Sequence, residues 1–449
     1  MRAAPPPIGF AEALRVWAKI GCLSFGGPAA QIALMHRVLV DEKRWIGEAR
    51  FLHALNFCML LPGPEAQQLA TYAGWLMHGL RGGLAAGILF VLPGALVMLG
   101  LAAVFAAYGD VSFVRAVFYG IAAAVLAIVV EALLRIGRRA LAGREAYLLA
   151  GLAFVAIFFF ATPFPLVVLT ALVWGIVRGA RKPAGDDGVN ALLQDGLVDR
   201  MIAADALPHI RPTLARQAAV TLACFAAWLV PVVLLAVALG PTNVFAELAR
   251  FFSVMATVTF GGAYAVLAYV AQQAVENHGW LSAPEMIQGL ALAETTPGPL
   301  ILVTQFVGFL AGFREGGGVP LIDGTLGAAV TLWVTFAPSF LWIFSGAPYA
   351  EALRTHRRLR AGLAAVTAAV VGVILNLAVW FALHVFFGRV DDQTWFGILR
   401  LPVPDATTLD PVAVALAAIS CVVLFGLRLG LLATIAIAAA LGLAVKLAL

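Results

Sequence analysis

Charge is what this sequence has least of. Only 12% of its 449 residues are Asp, Glu, Lys or Arg, against 62% hydrophobic. With a mean hydropathy of +0.97, a chain of this length cannot hide its apolar surface in a water-soluble core, and it is read as an integral membrane protein. Cysteine is scarce too: Cys22, Cys58, Cys224 and Cys421 stand singly, with no C-x-x-C and no histidine pair beside them. That pattern suggests neither a disulfide framework nor a metal site, and small buried hydrophobes are the expectation. Neither a phosphate-binding G-x-x-x-x-G-K-[ST] nor a dinucleotide fingerprint occurs. The expectation is therefore no enzyme, no cofactor and no metal. The period-two alternation of a membrane barrel is missing, which selects helices. The opening residues, MRAAPPPIGFAEALRVW, lack the basic stretch, apolar core and cleavage site of a removable signal. The net charge of +5 lies in loops and gives no reason to expect nucleic acid.

What the chain does have is apolar stretches long enough to cross a bilayer, at 83–108, 116–134, 218–240 and 363–387, and a repeat. Phe25-Gly26-Gly27 recurs 235 positions later as Phe260-Gly261-Gly262. At that offset Phe10-Ala11-Glu12 meets Phe245-Ala246-Glu247, Arg15 meets Arg250, Trp45 meets Trp280, and Pro62-Gly63-Pro64 meets Pro297-Gly298-Pro299. Of the 55 positions from Phe10 to Pro64, 15 are identical. A shared Ala/Leu background does not put Trp, Arg and P-G-P in one register, so the chain is a duplication. Beyond P-G-P the offset grows by ten, Pro93 meeting Pro338, which fits the added loop REGGGVPLID. The expected organisation is a first repeat at 1–178, a polar cytoplasmic linker at 179–216, a linking transmembrane helix at 217–242 and a second repeat at 243–449.

Cytoplasmic loops carry the excess of Lys and Arg. HRVLVDEKRWIGEAR, between F-G-G and P-G-P of the first repeat, holds four, and its counterpart AQQAVENHGWLSAPE holds none. Conversely YGDVSFVR holds one and its counterpart RTHRRLR four. Each loop swaps character with its twin, which predicts inverted topology. For the signs to work, the F-G-G and P-G-P elements must enter the membrane and return. The fold expected is an all-α polytopic membrane protein of two inverted repeats. Each has re-entrant broken-helix hairpins and about four transmembrane helices, and one extra helix links them.

Broken backbone inside a membrane is tolerated only against protein or a water-filled cavity. Pro62 ends one helix, Gly63 turns, and Pro64 opens the next, whose first N–H groups at Glu65, Ala66 and Gln67 lack partners. Gly26-Gly27-Pro28 reads the same way, and Gly261, Gly262, Pro297, Gly298 and Pro299 repeat the pattern. Half-helix starts converging near the midplane would bind an anion. The amides of Gln31, Gln67 and Gln305 would add neutral donors, with Arg15, Lys19 or Arg250 as counter-charges. Arg15 can equally snorkel to the surface. Glu65 and Glu294 flank the P-G-P breaks and are candidates to carry a coupling proton, although Glu65 can equally be a helix-dipole partner. Kinks used for close packing are the rival reading of the glycines.

At these residues the chain resembles the chromate transporter family, in its long form of two fused homologous domains. SFGGPAAQIALMHRVLVDEKRWI and LLPGPEAQQLATYAGW carry the likeness, with TFGGAYAVLAYV and TTPGPLILVTQFVGF in the second repeat. The F-G-G to P-G-P spacing is 37 in both. The resemblance implies export of chromate across the bacterial inner membrane and chromate resistance, with sulfate as a competing analogue. The N-terminus is expected on the cytoplasmic side of this multi-pass protein. An uptake-directed carrier or channel for sulfate or another oxyanion is the alternative, and a homodimer is left open. Ala263 and Leu300 stand where the first repeat has Pro28 and Glu65, so the two hairpins are unequal.

Overall fold

Glycine stops the first helix within the apolar region. α1 (Phe10–Leu23) ends at Ser24, whose Oγ donates to the Ile20 carbonyl at 2.6 Å, and Gly26 and Gly27 then take φ of 84° and 76°. That left-handed backbone favours glycine, and Pro28 starts α2 (Gly27–His36). At 14 and 10 residues these helices are about 21 and 15 Å long, too short to cross about 30 Å of hydrocarbon. The structure, a computed structural model, describes residues 8–109, 111–179, 196–204, 207–210, 213–260, 263–349, 357–395 and 399–448.

α3 (Glu48–Cys58) leads into Pro62-Gly63-Pro64, and α4 (Glu65–Tyr108) leaves it. Pro64 caps α4 rather than forming its first turn, so Glu65 takes the first helical position. α4 is two helices joined at a kink, where His78 leaves helical geometry and Gly79 has φ 63°. Next come α5 (Ser112–Ala140), α6 (Arg144–Phe160), α7 (Phe164–Gly179), the short α8 (Leu197–Ala203) and α9 (Leu214–Leu239). The second repeat supplies α10 (Val244–Val258), α11 (Ala263–Gln272), α12 (Ala283–Thr295), α13 (Val303–Glu315) and α14 (Pro320–Gly346). α15 (Arg357–Phe386), α16 (Pro411–Cys421) and α17 (Leu431–Ala448) complete it.

Among the described residues, five helices are long and apolar enough to span a membrane: Glu65–Tyr108, Ser112–Ala140, Leu214–Leu239, Pro320–Tyr349 and Ala361–Phe386. α6, α7, α16 and α17 are apolar but shorter. One element departs from an all-helical reading: β1 (Val390–Trp395) and β2 (Leu399–Pro404) pair antiparallel after α15. Two six-residue strands in a polar connection carry too little periodicity to announce themselves.

Packing is reciprocal between the repeats. α6 and α7 lie on α15 of the second repeat, α16 and α17 lie on α5 of the first, and α5 meets α15. Small residues make these contacts close. A Cβ on Gly175 would strike the Ala361 carbonyl, and one on Gly442 would come 2.8 Å from that of Ala116, the counterpart of Ala361. Pro93 in α4 leaves the Leu89 carbonyl without its helical donor, and Gly21 of α1 closes onto that carbonyl where a Cβ would not fit.

The loops gather into two sets. In one, Leu197 and Val198 donate backbone N–H groups to the Arg44 and Trp45 carbonyls at 3.0 and 2.9 Å, and Asp199 pairs with Arg50. His209 packs on Trp75, and Gln217 donates to the Phe344 carbonyl at 2.9 Å. Residues 196–204 of the linker, expected to be connector, are thus docked. In the other set Arg400 and Trp380 donate to Glu276 at 2.9 and 3.3 Å, Arg314 pairs with Glu285, and Tyr119 donates to Asp410 at 2.6 Å. α5 and α9 each have one end in one set and lead away from it, as a spanning helix must.

Candidate anion-binding site

The breaks of the two repeats are bonded to one another. The Gly63 N–H donates to the Thr259 carbonyl at 2.8 Å, and the Gly298 N–H donates to the Ser24 carbonyl at 2.7 Å. Gly63 and Gly298 are counterparts, as are Ser24 and Thr259, so each P-G-P turn is held by the F-G-G turn of the other repeat. A contact exchanged in this way is what a two-fold relation produces. Both glycines need their φ of 122° and 89°. Thr259 repeats the Ser24 cap, its Oγ1 donating to the Met255 carbonyl at 2.7 Å.

This arrangement narrows the set of donors. The amides of Gly63 and Gly298 are committed to protein and are not available to an anion. Gln31 is buried and gives Nε2 to the Gly298 carbonyl at 2.6 Å, Gln67 gives its own to Thr71 at 3.0 Å, and Gln305 to the Ala95 carbonyl at 3.0 Å. Gln31 Nε2 also reaches the Ser24 carbonyl at 3.4 Å, so the Gln31 amide donor is fully engaged and those of Gln67 and Gln305 are each engaged once, while all three Oε1 atoms have no partner among the described residues. Still unpaired among the described groups are the first-turn N–H groups of α4, at Glu65, Ala66 and Gln67. Those of α2, at Gly27, Ala29 and Ala30, are in the same state. The hydroxyls of Thr335 and Ser339 on α14 are also buried without partners, and a Cβ on Gly63 would lie 2.7 Å from Ser339 Oγ. These hydroxyls were not foreseen. Ser339 is the counterpart of Gly94, so the repeat gave no matching polar residue to notice.

Arg15, Lys19 and Arg250 make no hydrogen bond to the break residues among the described residues. All three are exposed, and Arg15 bonds back to the Ala11 carbonyl at 3.3 Å. Nearby, Lys43 at 2.7 Å holds the Glu12 carboxyl below the usual carboxylate range by hydrogen bond and charge. Pro28, Pro62, Pro64, Pro297 and Pro299 sit at the turns as expected. Gly261 and Gly262 lie outside the described residues.

Glu65 is half-buried at the start of α4. Glu294 is only 2% exposed, and Tyr264 donates to its Oε1 at 2.5 Å while Oε2 has no described partner. Arg135 and Glu131 of α5, themselves paired at 3.4 Å, are within electrostatic reach. Sequence reasoning missed Tyr264. The repeat held a signal for it, because the counterparts of Tyr264 and Glu294 are Ala29 and Met59. Both polar members of the pair occur in one repeat and both are apolar in the other.

Residues 11–176 and 246–443 each match the chromate transporter family. The chain belongs to the chromate transporter family. It is 34% identical to the chromate transport protein of Pseudomonas aeruginosa, over 83% of this chain and 81% of that protein. It is 26% identical to a probable chromate transport protein of Synechococcus elongatus, over 83% of this chain and 85% of the relative. Against the chromate transport protein of Cupriavidus metallidurans the identity is 27%, over 81% and 80%. No solved structure matches the chain. As a family member this chain is a multi-pass membrane transporter and not an enzyme, and the paired breaks lie within the matched regions.

Proposed function

We propose that the protein exports chromate from the cytoplasm through a site at the crossed F-G-G and P-G-P breaks, with sulfate as a competing analogue, and so confers chromate resistance. The observation that carries this reading is the reciprocal pair of bonds from Gly63 to Thr259 and from Gly298 to Ser24. It holds broken backbone together in the apolar interior while leaving the first-turn N–H groups of α2 and α4 and the hydroxyls of Thr335 and Ser339 unpaired. Neutral donors of this kind suit a tetrahedral dianion that must bind, lose water and leave again. An inside-negative potential favours outward movement by about 2.3 kcal/mol per charge per 100 mV, so a dianion needs no ATP.

In this reading the repeats, at 1–178 and 243–449, are inverted, and the protein sits in the inner membrane with its N-terminus in the cytoplasm. The two loop sets support it. The linker touches the loop of residues 44–50, whereas the counterpart loop at 276–285 is tied to Arg314, Trp380 and Arg400. Four crossings by the first repeat and one by α9 bring the second repeat in from the opposite side. α6, α7, α16 and α17 cross by local thinning of the bilayer. Glu294, bonded to Tyr264, is the carrier proposed for a coupling proton, and Glu65 is the second candidate. Chromate accumulation in cells expressing the protein tests the assignment: lower accumulation than in control cells is expected, and higher accumulation would reverse it to uptake.

A further inference from the structure

Among the loops away from the linker lies a cavity of about 610 Å³, built by both repeats. Arg115 and Tyr119 of α5 line it, with Gln288 of α12, His384 of α15, Asp410, and Lys446 of α17. Asp410 is the one carboxylate among the described lining residues, and both of its oxygens are occupied. Its Oδ2 accepts from the Tyr119 hydroxyl at 2.6 Å, and Oδ1 accepts from the N–H groups of Val412 and Ala413 at 3.0 Å. Lys446 stands over the Tyr119 ring at 4.6 Å. His384 donates Nδ1–H to the Trp380 carbonyl at 2.8 Å, which leaves Nε2. Neither Arg115 nor Lys446 has an ion-pair partner among the described residues. Its two cations outnumber its one carboxylate, so the basin carries net positive charge.

Its position connects it to the breaks. Pro284, Ile287 and Gln288 of α12 form part of the lining, and α12 ends at Thr295, just before Pro297-Gly298-Pro299. One helix of 13 residues, about 20 Å, thus runs from the cavity to the crossed turns. We infer that this cavity is a second, outward-facing binding station for a tetrahedral oxyanion dianion, gripped by Arg115 and Lys446, with Gln288 as a further donor. The inference rests on the oxyanion-transport reading for its ligand class. The cavity has room for the ion with bound water, and exposed cations are screened by salt. Binding here is accordingly weak and steeply salt-dependent, which lets the ion leave.

The test uses the full chain in phosphatidylcholine nanodiscs, titrated calorimetrically with sulfate, which is redox-inert. The parent should show binding that weakens about tenfold or more between low and moderate salt, since two cations are engaged. Arg115→Gln with Lys446→Gln should abolish that salt-sensitive binding, and Arg115→Lys with Lys446→Arg should retain it, which guards against misfolding. Undiminished sulfate binding in the charge-removing double variant would overturn the inference. So would disappearance of the parent's binding when phosphatidylglycerol is added at constant salt, because the occupant would then be a lipid phosphate. A separate flux assay in vesicles reads the transport assignment: a parent that moves no oxyanion defeats that reading, whereas an active parent whose double variant binds sulfate as before defeats only the vestibule.

Discussion

A single atom decides what can stand at Gly298. Its φ of 89° strains any residue with a Cβ, and a would-be Cβ also meets Leu302 Cδ1 at 3.2 Å. Gly298→Val should cost about 1–2 kcal/mol from the backbone alone, with more from the displaced turn. Because the bond to Ser24 is lost with it, transport should vanish while the protein still inserts, as read by chromate resistance alongside membrane fractionation. Full resistance in that variant would mean the turn only packs. At the same scale, Glu294 and Tyr264 form a polar couple where the first repeat has Met59 and Ala29. Glu294→Gln should flatten the pH dependence of transport in vesicles, and Tyr264→Phe should displace it. A Glu294→Gln profile that tracks the parent across pH removes proton carriage from this residue. Tyr264 could be found beforehand only by noting that it and Glu294 replace Ala29 and Met59 together, whereas Ser339 is one polar residue in an apolar helix until its neighbours are known.

Elements were more legible than contacts. The stops at Ser24 and Pro62 and the restarts at Pro28 and Glu65 follow from local steric rules for glycine and proline, so the helix breaks were visible in the sequence. The docking of α8 was not, because its partners lie at Arg44, Trp45 and Arg50, far along the chain. Asp199 there accepts from the N–H groups of Gly47 and Gly196 at 2.8 and 3.1 Å besides pairing with Arg50. Asp199→Ala should loosen this clasp by about 1–3 kcal/mol. Amide exchange in residues 44–50 would then accelerate, and an unchanged exchange pattern would show that the clasp contributes nothing.

For the molecule as a whole the central question is which way the second repeat points. Asp41 and Glu276 occupy counterpart loops, and each loop is tied to a different set of neighbours. Cysteines placed at these two positions should react with an impermeant thiol reagent from opposite sides of the membrane, position 41 from the cytoplasm. Labelling of both from one side would make the repeats parallel and dismantle the exchange of helices onto α5 and α15 as an inverted pair. α9 touches α10 and α14 and leaves most of its surface uncovered by the rest of the chain.

Membrane residence, duplication and the positions of the breaks were determined by the sequence itself. Apolar content, repeated motifs and the backbone limits of glycine and proline act locally and need no partner. Which amides remain free was decided only by the tertiary structure. The N–H groups of Gly63 and Gly298 looked like donors for a ligand until the fold brought the carbonyls of Thr259 and Ser24 against them. A hydrogen bond across two repeats depends on their mutual placement, and no local rule carries that.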